Sequence, residues 1–248
     1  MPEEREVALK ILLDKFLDNG WIEPSQSDWC AQAFLVPKPG DKNNPGEKKW
    51  RLVVDYRYLN TCTKDNPFPL PLIENLVQRQ LVNRMWSVFD LQDGFHQMHL
   101  EPKSREYTAF QTPCGSLHWT VLPMGVNNGP AMFQRMIAWI LRGVPKALAY
   151  IDDVITGSSL LDDSIVPTSF LENTGLSMPY RKSLDPILLH HLYDCCQTLI
   201  AFRRGKVCTR GSKVKLFRLK IQYCGQILER GQRKAAPSKF SAVHNWEC

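Results

Sequence analysis

The sequence predicts an α+β fold built on a mainly antiparallel sheet. Apolar runs of strand length and amphipathic runs of helix length are mixed along the chain, without the regular strand–helix–strand alternation of a parallel sheet. Two pairs of apolar runs read as hairpins, "AQAFLV" with "WRLVVDY" across a Pro/Gly/Lys-rich connection and "LAYI" with "VIT" across paired aspartates. A hydrophobic share of 44% in 248 residues is enough to build one large domain or two to three smaller ones.

Taken in order, residues 5–20 show helical periodicity and stop at Asn19-Gly20, a good C-terminal signal. The first hairpin follows, with the basic tip "GDKNNPGEKK". "NPFPLPLIENLVQRQL" opens with prolines and becomes amphipathic, and "MWSVFDLQDGF" reads as a buried strand ending in an acidic, Gly-containing turn. "GSLHWTVLPMG" alternates as a strand does, and "GPAMFQRMIAWILRGV" is a helix with Pro130 near its start. Residues 159–186 lack periodicity and read as a long irregular insertion. A helix over about 187–204, short strands through "VKLFRLKIQYCGQILERGQ" and the start of another helix in "APSKFSAVHNWEC" complete the pass.

Composition narrows the function classes. Net charge is +6 with a pI near 8.9, which favours a polyanionic partner. Eight cysteines lie scattered without a CxxC pair, as reduced intracellular thiols do. His191 and Cys195 stand one helical turn apart in "HHLYDCC", but the surrounding helical periodicity makes them packing groups sooner than zinc ligands. No apolar run resembles a signal peptide or reaches membrane-spanning length, so a soluble, intracellular protein without a membrane partner is expected.

The chemistry gathers on aspartates. In "LAYIDDVITG", Asp152 and Asp153 cannot share one strand face unless the chain turns there, so they stand at a hairpin tip. An ordinary Asp-rich surface turn is the other reading of those ten residues. Phosphoryl transfer needs charge neutralisation by metal ions held on carboxylates, and Asp90 of "FDLQDGF" and Asp152 would serve if their strands were neighbours.

At this point the chain resembles a reverse transcriptase of the retroviral and LTR-retrotransposon type, in particular the gypsy class. The resemblance rests on six motifs in the family's order: "WRLVVDYRYLN", "FDLQDGFHQMHL", "YTAFQTPCGSLHWTVLPMG", "NNGPAMFQR", "YIDDV" and "YCGQIL" followed by "GQ". It covers nearly everything except residues 159–186, and implies a right-hand polymerase fold with fingers, palm and partial thumb. Residues 1–85 would form the fingers and N-terminal part, 86–158 the palm interleaved with fingers, and 187–248 the palm end, primer-grip hairpin and truncated thumb.

The resemblance implies that Asp90 and Asp152 hold two Mg²⁺ ions (or Mn²⁺), assisted by the Leu91 carbonyl, with Asp153 as supporting carboxylate. Arg51 would contact the incoming dNTP triphosphate, with Lys42, Lys48 or Lys49 as a second contact. Phe95 would lie under the sugar and exclude a 2′-hydroxyl; a core phenylalanine is the plain alternative. Met124 and Gly125 would pack near nucleotide and template, with Gln134 supporting the template strand. The family more often carries a larger residue at 124 and alanine at 129.

Lys213 would protonate the departing pyrophosphate. Arg203, Arg204, Lys206, Arg210 and Lys215 would contact backbone phosphates of an RNA or DNA template with its primer. The implied activity is RNA-directed DNA polymerisation, in the cytoplasm within a virus-like particle or in the nucleus, with no ribonuclease H or integrase region expected. A catalytically inactive, element-derived nucleic-acid-binding fragment and another palm polymerase are the alternatives, and oligomeric state is left open.

Overall fold

A computed structural model of the chain describes residues 3–38, 49–66, 68–159, 166–173 and 184–235. The expected helix at 236–248, most of the basic tip with Lys42 and Lys48, and much of 159–186 lie outside the described residues. The chain forms two units that interleave in sequence: Met1–Pro67 with Asp93–Phe133, and Phe68–Gln92 with Gln134–Cys248.

Helix α1 (Glu3–Asp18) opens the first unit and closes as its sequence dictates. Gly20, at φ 65°, donates to Leu17 O, and Trp21 N donates to Phe16 O, so the last carbonyls are satisfied by a left-handed cap. Strands β1 (Ile22–Pro24), β2 (Ala31–Pro37) and β3 (Trp50–Val54) follow, then the short helix α2 (Arg57–Cys62). In the second unit the chain makes α3 (Ile73–Gln80) and β4 (Met85–Asp90). It returns to the first through a 3₁₀ turn at Gly94–Gln97, α4 (Pro102–Arg105), β5 (Phe110–Thr112) and β6 (Gly115–Trp119).

The first unit's sheet has the order β1-β6-β5-β2-β3. It is antiparallel except for β2 and β5, which pair in parallel at Ala31 and Phe110, a departure that short apolar runs do not announce. Its core joins Leu9 and Leu13 of α1 to Ile22, Tyr56, Phe110 and Trp119.

Helix α5 (Gly129–Ile140) leads into the second unit, followed by β7 (Ala147–Tyr150), β8 (Asp153–Ser158), α6 (Thr168–Asn173) and α7 (Pro186–Gly205). Asp185 caps α7 by accepting from Ile187 N at 2.9 Å, and Pro186 fits its first turn, where no N–H is needed. Strands β9 (Lys215–Arg218), β10 (Lys220–Tyr223), β11 (Gln226–Glu229) and β12 (Gln232–Ala235) end the described chain.

A four-stranded antiparallel sheet, β7-β8-β4-β9, carries this unit, and β10-β11-β12 form a meander. The meander's two tight turns put Cys224-Gly225 and Arg230-Gly231 at positive φ, the backbone that two-residue hairpins with right-handed strands require. On one face of the four-stranded sheet Trp86, Val88, Leu148 and Ile155 pack with Leu76, Val77, Ile221 and Leu228. Each fully buried aliphatic or aromatic side chain here stabilises by roughly 1.5–3 kcal/mol relative to exposure. On the other face Phe89 meets Phe202 of α7 edge-on, 5.8 Å between rings.

Two features of the fold go beyond what the sequence announces. The stretch read as an irregular insertion contains α6, whose Phe170 packs edge-on against Tyr193 of α7 at 5.1 Å, so part of it is built onto the fold. The boundary expected at residue 85/86 does not separate compact units, because α3 and β4 belong together through the Leu76, Val77, Trp86 and Val88 cluster.

Candidate active site

Strand β4 is the central strand beside β8, and their register sets Asp90 directly opposite Asp153. The β7–β8 hairpin closes from Tyr150 to Asp153 through Ile151 and Asp152 alone. The hairpin tip expected from the sequence is therefore real, and Asp153 opens the outgoing strand. Alternation along β4 and β8 places Asp90 and Asp153 on the same face, while Leu91 N donates to Asp152 O at 3.1 Å and ties the turn to the end of β4. The structure thus brings Asp90, Asp152 and Asp153 to one end of one sheet.

That turn is strained. Ile151 stands at φ 54°, which β-branched residues avoid at a cost of order 1–3 kcal/mol. Gln134 holds it: its Oε1 accepts from Ile151 N at 2.7 Å and its Nε2 donates to Ala149 O at 3.1 Å. Gln134 was expected to bear on the template, but it is 4% exposed and both ends of its amide are committed to the hairpin. It holds the turn that carries Asp152.

Positive charge reaches the carboxylates from the segment after α7. Arg210 N donates to Asp90 O, Gln92 N donates to Cys208 O, and Lys213 Nζ lies 3.2 Å from Asp90 Oδ2. Lys213 was expected as a proton donor, and here it is the counter-ion of Asp90. Asp153 is held above the usual carboxylate range, first by burial and then by the charges of Asp152 and Asp90, against the opposing pull of Lys213 and Lys215.

Among the described residues no three His, Cys, Asp or Glu side chains close on one point as a ready-made cage. The donor set is nevertheless hard and anionic, and the crowding felt by Asp153 is what a cation would relieve. Such a set suits an ion that keeps open positions for other oxygens, as magnesium does.

The remaining expected residues belong to the first unit. Arg51 is exposed on β3 opposite Val36, and Lys49 O accepts from Lys38 N at the mouth of the same hairpin. Phe95 sits on the 3₁₀ turn with its ring 5.5 Å from Phe133, and a β-carbon at Gly129 would come 4.0 Å from that ring. Met124 is half exposed, and Gly125 at φ 97° has its carbonyl bonded by Asn60 Nδ2 at 2.9 Å.

Sequence reasoning missed this asparagine clamp. Asn127 N donates to Asn60 Oδ1, Asn127 Nδ2 to Asp65 Oδ1, and Asn128 Nδ2 to Lys64 O, so the loop after Met124 is stapled to the α2 region. The only signal was the pair "NN" next to Gly, which reads equally well as a turn.

The fold is that of solved polymerases. The chain superposes on the foamy viral protease-reverse transcriptase solved in complex with double-stranded DNA, with a TM-score of 0.76 at 21% identity, over 99% of this chain and 38% of that one. The chain belongs to the reverse transcriptase (RNA-dependent DNA polymerase) family, whose sequence profile matches residues 36–228. It is 31% identical over 197 residues to the retrovirus-related Pol polyprotein from transposon 297 of Drosophila melanogaster, covering 79% of this chain and 18% of that one. Against the polyprotein from transposon 412 of the same fly it is 36% identical over 156 residues, covering 62% and 12%. Against the enzymatic polyprotein of cauliflower mosaic virus (strain Strasbourg) it is 30% identical over 236 residues, covering 94% and 29%. The chain thus spans between 12 and 29% of the length of these relatives.

Proposed function

We propose that this chain is the RNA-directed DNA polymerase core of a gypsy-class LTR retrotransposon, extending a primer with dNTPs on an RNA or DNA template. The observation that carries the reading is the register of β4 and β8, which sets Asp90 against Asp153 with Asp152 in the adjoining turn. Two bound Mg²⁺ ions, or Mn²⁺, would neutralise the triphosphate and activate the primer hydroxyl.

The chain's own residues divide the remaining work. Asp90, Asp152 and the Leu91 carbonyl are the proposed ligands, and Asp153 supports them. Gln134 keeps the turn from relaxing, which matters because an in-line attack tolerates little misplacement. Lys213, 3.2 Å from Asp90 Oδ2, is assigned to protonation of the departing pyrophosphate. Arg51 and Lys49 are assigned to the triphosphate, Phe95 to rejection of ribonucleotides by bulk, and Met124 and Gly125 to the floor under the new base pair. The first unit would then supply fingers, and the second the palm with its primer-grip meander β10-β11-β12. The foamy viral relative solved in complex with an RNA/DNA hybrid supports a nucleic-acid partner of this kind.

The test is primer extension by the purified chain on an RNA template with a DNA primer, Mg²⁺ and dNTPs, beside Asp152→Asn. The expected result is extension that the substitution lowers by about 10²–10³-fold or more with folding unchanged, a loss that starts in the range of preorganised electrostatic groups. A folded chain that binds template–primer and extends nothing would replace this reading with the non-catalytic one.

A further inference from the structure

Behind the carboxylate sheet, α7 meets β4, β8 and β9 through a buried polar seam that the polymerase reading does not use. Ser87 on β4, Ser158 on β8 and His191 on α7 have no exposed surface, and Asp194 and Cys195 beside them are buried. His191 Nε2 lies 2.8 Å from Ser87 Oγ and its Nδ1 lies 2.8 Å from Ser158 Oγ. Ser158 Oγ donates to Asp194 Oδ2 at 2.6 Å, Cys195 Sγ to Ser87 Oγ at 3.3 Å, and Phe217 N to Ser87 Oγ at 3.1 Å.

The protons in this seam can be assigned one by one. Phe217 N–H can only donate, so Ser87 Oγ must accept it, and it accepts the Cys195 thiol as well. The single Ser87 proton then has His191 Nε2 as its acceptor. A neutral ring with a bare Nε2 carries its proton on Nδ1 and gives it to Ser158, whose own proton goes to the Asp194 carboxylate. Every donor meets one acceptor: Cys195 to Ser87, Ser87 to His191, His191 to Ser158, Ser158 to Asp194. The reverse order would send Nε2–H to Ser87 Oγ or to Cys195 Sγ, 3.5 Å away, and would leave the single Ser158 proton to serve both a bare Nδ1 and the Asp194 carboxylate.

We infer that His191, fixed as the neutral Nδ1–H tautomer by this one-way chain, is a positioning residue that locks β4 and β8 in register and so sets the spacing of Asp90 and Asp153. The connection is short. Ser87 lies three residues before Asp90 on β4 and Ser158 five after Asp153 on β8, and both point to the α7 face. Thr156 and Thr198 extend the seam at 2.9 Å, and Phe217 closes the ring's edge at 5.3 Å. The titratable groups beside His191 are Asp194, reached through Ser158, and Cys195, whose Sγ lies 3.5 Å from Nε2, with Lys146 and His190 acting on Asp194 and Cys196 on Cys195. A protonated ring would lose the Ser87 bond and place a cation beside a seam whose carboxylate, among the described residues, is Asp194. The register role rests on the polymerase reading, whereas the tautomer does not.

Two measurements separate them. Long-range ¹H–¹⁵N spectra of the full chain should show His191 with Nδ1 protonated and Nε2 bare at pH 7, and an Nε2–H tautomer or an imidazolium there would overturn the relay. Primer extension and Mn²⁺ binding followed by water-proton relaxation would then be compared for wild type, Ser158→Ala and His191→Gln. Ser158→Ala removes one link with little change of volume, and keeps the test open if His191→Gln does not fold. Folded variants should show a maximal rate lowered at least about tenfold, Mn²⁺ affinity lowered severalfold and the KM for dNTP little changed, with the acid limb of the rate profile moved. Unchanged rate and Mn²⁺ affinity in a folded variant would overturn the positioning role. If wild type extends nothing, the polymerase reading fails, and the tautomer and the Mn²⁺ series still decide the seam.

Discussion

At Ile151 the chain holds a backbone conformation that a branched side chain resists, and it holds it with one amide. Gln134→Leu removes that amide and leaves Ala149 O buried and Ile151 N half-buried without this partner, a penalty of about 1–3 kcal/mol for the carbonyl and less for the amide. The expected result is a melting temperature several degrees lower and primer extension slowed by an order of magnitude or more. Gln134→Glu retains the acceptor for Ile151 N and should fall between the two; calorimetry and single-turnover extension read both quantities. The aspartates were legible in the sequence because two adjacent like charges between strand-forming runs demand a turn. Gln134 was not, because its partners lie 15 and 17 residues away and nothing local in "MFQRM" points to them.

Elements long enough to show a full period were legible: α1, α5 and α7, and the buried strand β4. Short ones were not, since α2 and α4 contain only a turn or so and α6 is hidden in a stretch rich in Ser, Pro and Asp. Packing between elements was also beyond sequence reading, and Gly157 on β8 illustrates why. A β-carbon there would run into Gln80 Oε1 and Asn83 Nδ2 and come 2.9 Å from Asn83 Cγ. Those two side chains are buried and bonded to each other at 2.9 Å, so neither can swing into solvent. Gly157→Ala should therefore destabilise by about 1–3 kcal/mol, read as a shift of the urea midpoint at constant slope. In the sequence Gly157 is merely a glycine at the end of a strand.

For the molecule as a whole, acid is the predicted weakness. Burial lowers both His96 and His191 to about 4 from an ordinary 6.5; for His96, Lys15 adds to the fall and Asp93 opposes it. A histidine whose folded value is depressed binds its proton more readily when unfolded, so stability rises with pH across that window. The contribution is complete above about 6.5 and is lost as pH falls toward 4, at up to about 1.4 kcal/mol per pH unit for each histidine. His96 stacks on Trp119 in the first unit and His191 lies in the seam of the second, so urea unfolding at pH 7.5, 6 and 5 should show both units weakening together. A flat profile across that range would contradict the burial of both rings. The interleaving of the units has a hereditary consequence. Because the chain passes from one to the other after Pro67, Gln92 and Phe133, neither unit is a continuous stretch of gene. Template switching between related elements with a single crossover within residues 68–133 would give offspring in which both units are assembled from two parents. Viable recombinants should accordingly be depleted of breakpoints within codons 68–133 relative to either side, where a join divides a single unit.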